Sequence, residues 1–172
     1  MNYFTPELFV AFKSSEPKVA RAAAIEWDKA VAAYDKHLKS VRRRLPPPVR
    51  ELSNLLLLHD AELLNFEEVS PNGRSAIAHL LVRQFGEVSF LSYFLLEKPS
   101  IAKPIKHTDF SPRAVHWLYD EIDLRGPGGF SHEILFSDGR VFRVRFEHLS
   151  ILSAVALVPQ LAAKSGPSTD CA

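Results

Sequence analysis

The sequence predicts an α+β domain in which N-terminal helices, one of them long, pack on a C-terminal antiparallel meander sheet of about five strands. Three observations carry this expectation. All seven glycines lie at Gly73 or later. No Gly or Pro interrupts Lys18 to Leu45, where apolar residues recur at helical spacing. Beyond His59, short β-branched and aromatic runs are separated by Gly, Pro, Asn and Asp, the punctuation of strands and turns.

The elements follow in order. Thr5-Pro6-Glu7 is a helix start, with an N-cap oxygen, a proline at the first helical position and an acid facing the dipole. Leu8, Phe9 and Phe12 give this first helix its apolar face, and Ser14-Ser15-Glu16-Pro17 ends it and opens the next. Trp27, Val31, Tyr34, Leu38, Val41 and Leu45 alternate at spacings of 4 and 3, one stripe on a long amphipathic helix. An α+β domain must cover one sheet face, so the stripe is assigned to the sheet rather than to a homodimer interface. Pro46-Pro47-Pro48 stops the helix, because prolines supply no amide donors and lock φ. A short helix is expected over Pro47–Leu57 and a strand over Asp60–Val69, with the state of residues 55–62 left open.

Two turn signals, Pro71-Asn72-Gly73 and Ser137-Asp138-Gly139, fit three-residue hairpin loops. At the second, such a loop pairs Ile134 with Phe142 and His132 with Val144, and it sets Glu133 opposite Arg143. A two-residue loop would scramble both faces, because a one-residue slip exchanges them. The same loop at the first turn pairs Phe66 with Ala78 and Leu64 with Leu80. Glu87 to Leu96 is apolar on both faces and reads as a central strand, and Ala114 to Leu124 reads as a further strand after a loop through Pro99, Pro104 and Pro112.

Composition bounds the function. The chain has 172 residues, 21 Lys+Arg against 20 Asp+Glu, 47% apolar residues and one Cys. It is too apolar and too near neutral for disorder, too poor in Cys for a disulfide scaffold, and too balanced for a bulk nucleic-acid binder. Residues 1–50 carry 10 basic and 5 acidic side chains, and residues 51–172 carry 11 and 15. Arg42-Arg43-Arg44 fall at a helix C-terminus, where cations are favoured without any ligand. One domain is expected over residues 1–164, helical over 1–58 and sheet over 59–164, with a flexible tail at 165–172 that holds Cys171. No secretory leader is readable, and the apolar stretch Leu149–Leu161 is shorter than the roughly 20 residues of a membrane span. A cytoplasmic location is expected.

The candidate chemistry is sparse. His59-Asp60 is the most pointed motif, since an adjacent His-Asp on a helix supplies two ligands in metal phosphohydrolases. Those enzymes need a further His and Asp, for which His37 and Asp109 are the nearest candidates. The alternative is that His59 or Asp60 caps an element end through the backbone. His132-Glu133 lacks a second His four positions on, where Phe136 stands, and His132 faces the apolar side of its hairpin. Asp120, Glu121 and Asp123 follow Trp117 and Tyr119, with Asp120 on one face of the strand and the other two on the opposite face. Acids beside aromatics suit a basic protein surface or glycoside chemistry, and a solvated edge is the plainer reading. No phosphate loop, dinucleotide fingerprint, nucleophile elbow or Cys-pair zinc motif is present.

Tyr3-Phe4-Thr5-Pro6-Glu7-Leu8, Leu58-His59-Asp60-Ala61-Glu62, Trp117-Leu118-Tyr119-Asp120-Glu121 and His132-Glu133-Ile134-Leu135-Phe136-Ser137-Asp138-Gly139 together resemble an uncharacterised family of small bacterial proteins, a domain of unknown function, over about residues 3–150. The His-Asp-Ala strand start and the closing Asp-Gly hairpin are also similar to parts of immunity proteins from bacterial toxin systems. The resemblance implies binding and no catalytic residues. The expectation is a non-catalytic, immunity-like protein that meets a protein partner through Trp117, Tyr119, Asp120, Glu121 and Asp123, as monomer or homodimer. No cofactor, metal, nucleic acid or membrane is expected. The alternative is a metal-dependent hydrolase or small-ligand domain using His59 and Asp60, with His116, His132 or Asp120 nearby.

Overall fold

The computed structural model describes residues 1–54, 58–74, 76–102 and 114–155. Helix α1 (Pro6–Phe12) begins as its sequence dictates, the Thr5 hydroxyl accepting the Leu8 amide at 3.2 Å. Helix α2 (Pro17–Val41) continues into a 3₁₀ turn at Arg42–Arg44, and α3 (Pro47–Leu52) follows the prolines. The sheet holds β1 (Glu62–Val69), β2 (Ile77–Gln84), β3 (Glu87–Leu95), β4 (Ser100–Ile101), β5 (Trp117–Leu124), β6 (Phe130–Phe136) and β7 (Val141–Val155). Helices first and antiparallel sheet second is the predicted α+β class. The sheet has seven strands where about five were expected.

Strand order is β1-β2-β3-β7-β6-β5, with β4 also on β7. Two three-stranded meanders are therefore joined through β3 and β7, rather than one meander running throughout. The length of β7 makes this possible: its 15 residues extend roughly 50 Å at about 3.3 Å each. Residues 141–146 pair with β6, and residues 146–155 pair with β3. The stretch from Leu149 thus continues a strand as far as it is described.

Bulges at Leu63/Asn65, Phe94/Leu95 and Trp117/Tyr119 bend the sheet. Its two ends meet at one corner, where the Leu63 amide donates to Val115 O at 2.7 Å and the Trp117 amide to Ala61 O at 2.8 Å. The sheet is therefore curled into a partly closed barrel.

The closing hairpin has the predicted register, Ile134↔Phe142 and His132↔Val144 among its pairs, and Gly139 takes φ 78° in the turn. The first hairpin differs. Phe66 pairs with Leu80 and Glu68 with Ala78, because Pro71–Gly73 form a 3₁₀ turn with Asn72 left-handed at φ 56° and the loop is wider than three residues. The register moves by two, so inward residues remain inward. Helix α3 ends at Leu52 rather than Leu57, and β1 starts at Glu62 rather than Asp60, whose φ of 65° is not that of a strand. Residues 55–57, Asp109, most of the proline loop, the tail at 165–172 and Cys171 lie outside the described residues.

Apolar side chains fill two regions. Inside the barrel, Leu80, Leu91, Ile122, Ile134, Phe142 and Phe146 are buried, and Val49 and Leu52 of α3 plug the end where β5 and β6 are too short to cover β7. Outside it, Phe4, Phe9, Trp27, Tyr34 and Leu38 pack on Leu118, Leu135 and Val141. The α2 stripe thus covers the sheet, with Val31 as its one member left 37% exposed. Among the described residues no helix is long and apolar enough to cross a membrane.

Candidate functional site

Strand β5 carries the acids singled out in the sequence, and its alternation separates them. Asp120 points into the barrel beside Trp117. The ring NH of Trp117 donates to Asp120 Oδ1 at 3.1 Å, and His132 Nε2 on β6 lies 3.1 Å from Asp120 Oδ2. On its other side, His132 Nδ1 lies 2.9 Å from the Tyr93 hydroxyl of β3. The consistent proton arrangement is Nε2–H donating to the carboxylate and Nδ1 accepting from Tyr93 O–H. Burial and the nearby Asp120 carboxylate push the Tyr93 hydroxyl well above its ordinary pKa, so it stays a donor.

A tyrosine–histidine–aspartate relay resembles acid–base machinery, but this one is sealed. Tyr93 and His132 are 0% exposed, Trp117 1% and Asp120 5%. Every buried side-chain polar atom among the described residues has a partner. The relay therefore ties β3, β5 and β6 together in the barrel interior.

On the opposite face, Glu121 grips the start of the chain. Its carboxylate accepts the amides of Asn2, Tyr3 and Phe4 at 2.6, 2.7 and 2.8 Å. Glu133 on β6 takes the Met1 amine and Arg143, the latter at 2.8 Å. Burial opposes ionisation of Glu133, but the amine and the guanidinium outweigh it and hold the carboxyl below its usual range. Tyr34 of α2 accepts the Ile122 amide at 2.6 Å, capping the free edge of β5, and burial with the acids of β5 raises its hydroxyl pKa. Asp123 pairs with His37 at 3.1 Å and with Arg125 at 3.6 Å.

These contacts show where the residues of the expected partner surface lie. Trp117, Asp120 and Glu121 are buried, Tyr119 packs edge-on against Trp27 at 4.5 Å, and Asp123 is half-buried. Asp120 and Glu121 therefore do not lie on a solvated edge. Their charges are used within the chain, because α1, α2 and the N-terminal residues lie over this part of the sheet.

The second predicted cluster does assemble in part. His59 Nδ1 lies 3.0 Å from Asp60 Oδ2, and the His59 ring stands edge-on to Tyr119 at 5.1 Å. His116 Nδ1 lies 3.2 Å from the Asp60 carbonyl. Burial and the Asp60 charge raise the Tyr119 pKa. The backbone work is substantial: the Asp60 amide donates to Trp117 O at 2.8 Å, and the Gln84 side chain donates to the His59 carbonyl. The backbone of both residues is thus tied to neighbouring strands. Asp120 and His132 belong to the barrel interior and His37 to Asp123, so none of them joins His59 and Asp60. Among the described residues no three His, Cys, Asp or Glu side chains are placed to hold one metal ion.

Two features were not singled out in the sequence. The first is the outer face of β2, β3 and β7, where Leu81, Phe90 and Leu152 form one cross-strand row and Ile77, Phe94 and His148 another. Leu152 is 66% and Phe94 40% exposed. No helix among the described residues packs over these rows; α2 contacts β5, and α3 plugs the interior. The signal was visible in Glu87–Leu96, apolar on both faces: β3 is central in its sheet, yet only its inner face is covered. The second feature is a cleft of about 410 Å³ at the barrel mouth, floored by Val82, Ser89, Ile151 and Ser153 and rimmed by Glu51, Phe85 and Glu87.

No family model, curated protein or solved structure matches this chain.

Proposed function

We propose that this chain acts by binding another protein, and that the contact is made by the outer face of β2, β3 and β7 rather than by the acids of β5. The observation that carries the reading is the exposure of Phe94 and Leu152 on this face, in rows that flank the polar row His79, Ser92 and Ser150. The largest apolar patch on a typical monomeric protein covers about 300–600 Å² and is often a contact site. Three strands at about 4.8 Å and some seven residues at about 3.3 Å give a projected face on the order of 330 Å². That is below the roughly 800 Å² per partner of a standard interface. The face therefore suits the apolar centre of a larger contact with a folded partner. A cytoplasmic, bacterial, immunity-like role is the form of binding that the sequence resemblance implies, and it belongs to this proposal.

The test uses wild-type protein and the Phe94→Glu/Leu152→Lys variant as baits in extract of the native host. A partner retained by wild type and lost by the variant, then reproduced with purified components, supports the reading. Recovery of the same partners by both baits, or of no stable partner, refutes it.

The second reading is a hydrolase or small-ligand site at His59 and Asp60. Its supporting observation is the surface His59–Asp60 pair with His116 beside it. Metal analysis of the purified protein separates the two: stoichiometric metal that disappears in His59→Ala reverses the ranking.

A further inference from the structure

Strand β7 has two different edges. Toward β3 it is paired along residues 146–155, whereas toward β6 pairing stops at the Phe130↔Phe146 pair. Residues 147–155 therefore present alternate amide and carbonyl groups on an edge that no strand occupies among the described residues. Leu149 to Val155 contains no charge and no proline, so its side chains do not blunt pairing, while α3 packs against β7 at this end. The contrast with β5 is direct, because Tyr34 caps the free edge of that strand through the Ile122 amide.

The cleft at the barrel mouth lies beside this open edge. Ile151 and Ser153 supply part of its floor, and Ser153 Oγ lies 2.9 Å from Ser89 Oγ. Glu51 of α3 and Glu87 of β3 stand on the rim, exposed, and neither makes an ion pair with a described residue. Phe85 completes the rim with its side chain 96% exposed and its backbone at φ 50°, a conformation that costs a bulky L-residue about 1–2 kcal/mol. An exposed aromatic ring at a strained turn shares this rim with two carboxylates that no described cation pairs, a lining that suits a cationic, partly apolar side chain.

We propose that the open edge of β7 takes up an extended strand from a protein partner, and that the cleft beside it receives a lysine or arginine side chain of that strand. In such strand addition, main-chain hydrogen bonds supply affinity and pockets for alternate side chains supply specificity. Side chains of the added strand alternate as those of β7 do, one set facing the cleft with Ile151 and Ser153 and the other continuing the apolar outer rows. Glu51 and Glu87 accept the cation, and Phe85 covers its methylene stem. The inference rests on the protein-binding reading and adds the chemistry of the partner segment.

The test uses the full chain and fluorescent seven-residue peptides that alternate Lys and Val, with a Glu/Val peptide as the charge control. Anisotropy at about 0.15 M salt keeps exposed charges screened beyond roughly 8 Å. The Lys/Val peptide is expected to bind at least tenfold tighter than the Glu/Val peptide. Glu51→Gln/Glu87→Gln weakens it about tenfold, and N-methylation of alternate peptide amides abolishes binding. Because Glu51 and Glu87 are exposed, far-UV circular dichroism of that variant stays that of wild type. Binding unchanged in Glu51→Gln/Glu87→Gln, or insensitive to N-methylation, overturns the proposal. A concentration-dependent dimer that Ile151→Lys dissociates also overturns it, assigning the edge to a second copy. If the peptides fail while Phe94→Glu/Leu152→Lys still loses the host partner, the strand-addition inference falls and the outer-face reading stands. If the peptides bind and that variant keeps every partner, the outer face falls instead.

Discussion

Replacing Tyr93 by Phe removes one oxygen from the barrel interior and leaves the ring against Phe142 and Phe146, at centroid distances of 6.2 and 5.2 Å. In the native chain that hydroxyl satisfies His132 Nδ1 at 2.9 Å, in a place where both residues are 0% exposed and no water can substitute. An orphaned buried acceptor costs about 1–3 kcal/mol. At roughly 2–4 °C per kcal/mol for a domain of this size, Tm falls by about 2–12 °C. The informative step is the same substitution in a His132→Leu background. Loss of His132 strands the Tyr93 hydroxyl and removes a partner of the Asp120 carboxylate, at about 3–5 kcal/mol. With the hydroxyl already unpartnered, Tyr93→Phe then costs nothing or stabilises. Urea unfolding followed by tryptophan fluorescence reads the cycle, since Trp117 and Trp27 are 1% and 7% exposed. If Tyr93→Phe costs the same in both backgrounds to within about 0.5 kcal/mol, the two groups are uncoupled and the relay described here is wrong.

Four further outcomes are expected. Glu121→Ala frees three backbone amides and costs about 2 kcal/mol, with hydrogen exchange at Asn2, Tyr3 and Phe4 rising from protected to loop-like; unchanged protection would contradict the grip. Glu133, held below its usual range, contributes stability that is complete above the unfolded carboxylate pKa, about 4.3, and lost as pH falls through the lower folded value. Urea midpoints between pH 7 and pH 3 should therefore fall less steeply in Glu133→Gln than in wild type. A Cβ at Gly129 would lie 2.6 Å from the Arg125 carbonyl oxygen, so Gly129→Ala costs about 1–3 kcal/mol, whereas at Gly126 the strain of φ 65° acts alone, with open space around it. Equal urea midpoints for Gly129→Ala and wild type would show that the loop yields freely. Phe85→Gly relieves the φ of 50° and raises stability by about 1 kcal/mol; a loss in the same assay would mean that the exposed ring makes contacts that outweigh the strain.

The parts legible in the sequence are those written in local patterns. The 3-4 alternation from Trp27 to Leu45 and the proline stop define α2 because helix periodicity and the missing amide donor act over a few residues. The closing hairpin could be registered because Asp138-Gly139 fixes the turn and alternation fixes the faces. The first hairpin was harder, since Pro71-Asn72-Gly73 signals a turn without stating its width. The division of Asp120 from Glu121 and Asp123 was also readable, as strand alternation requires it.

What covers each face was not readable. Acids beside aromatics look alike whether they meet solvent or receive amides from residues 117 to 119 positions earlier in the chain, as Glu121 does from Phe4, Tyr3 and Asn2. His132 and Asp120 sit on paired strands, and Tyr93, two strands from His132, reaches it only because the sheet curls. Local chemistry, acting through φ/ψ preferences and the two side-chain periods, determined the helices, the strands, one turn register and the inward or outward sense of each residue. The tertiary structure alone decided that β7 is long enough to join two meanders, that α1 and α2 cover one half of the sheet, and that no described strand or helix covers the outer face of the other half. Coverage is a property of which distant surfaces pack together, and a side chain's neighbours in sequence do not encode it.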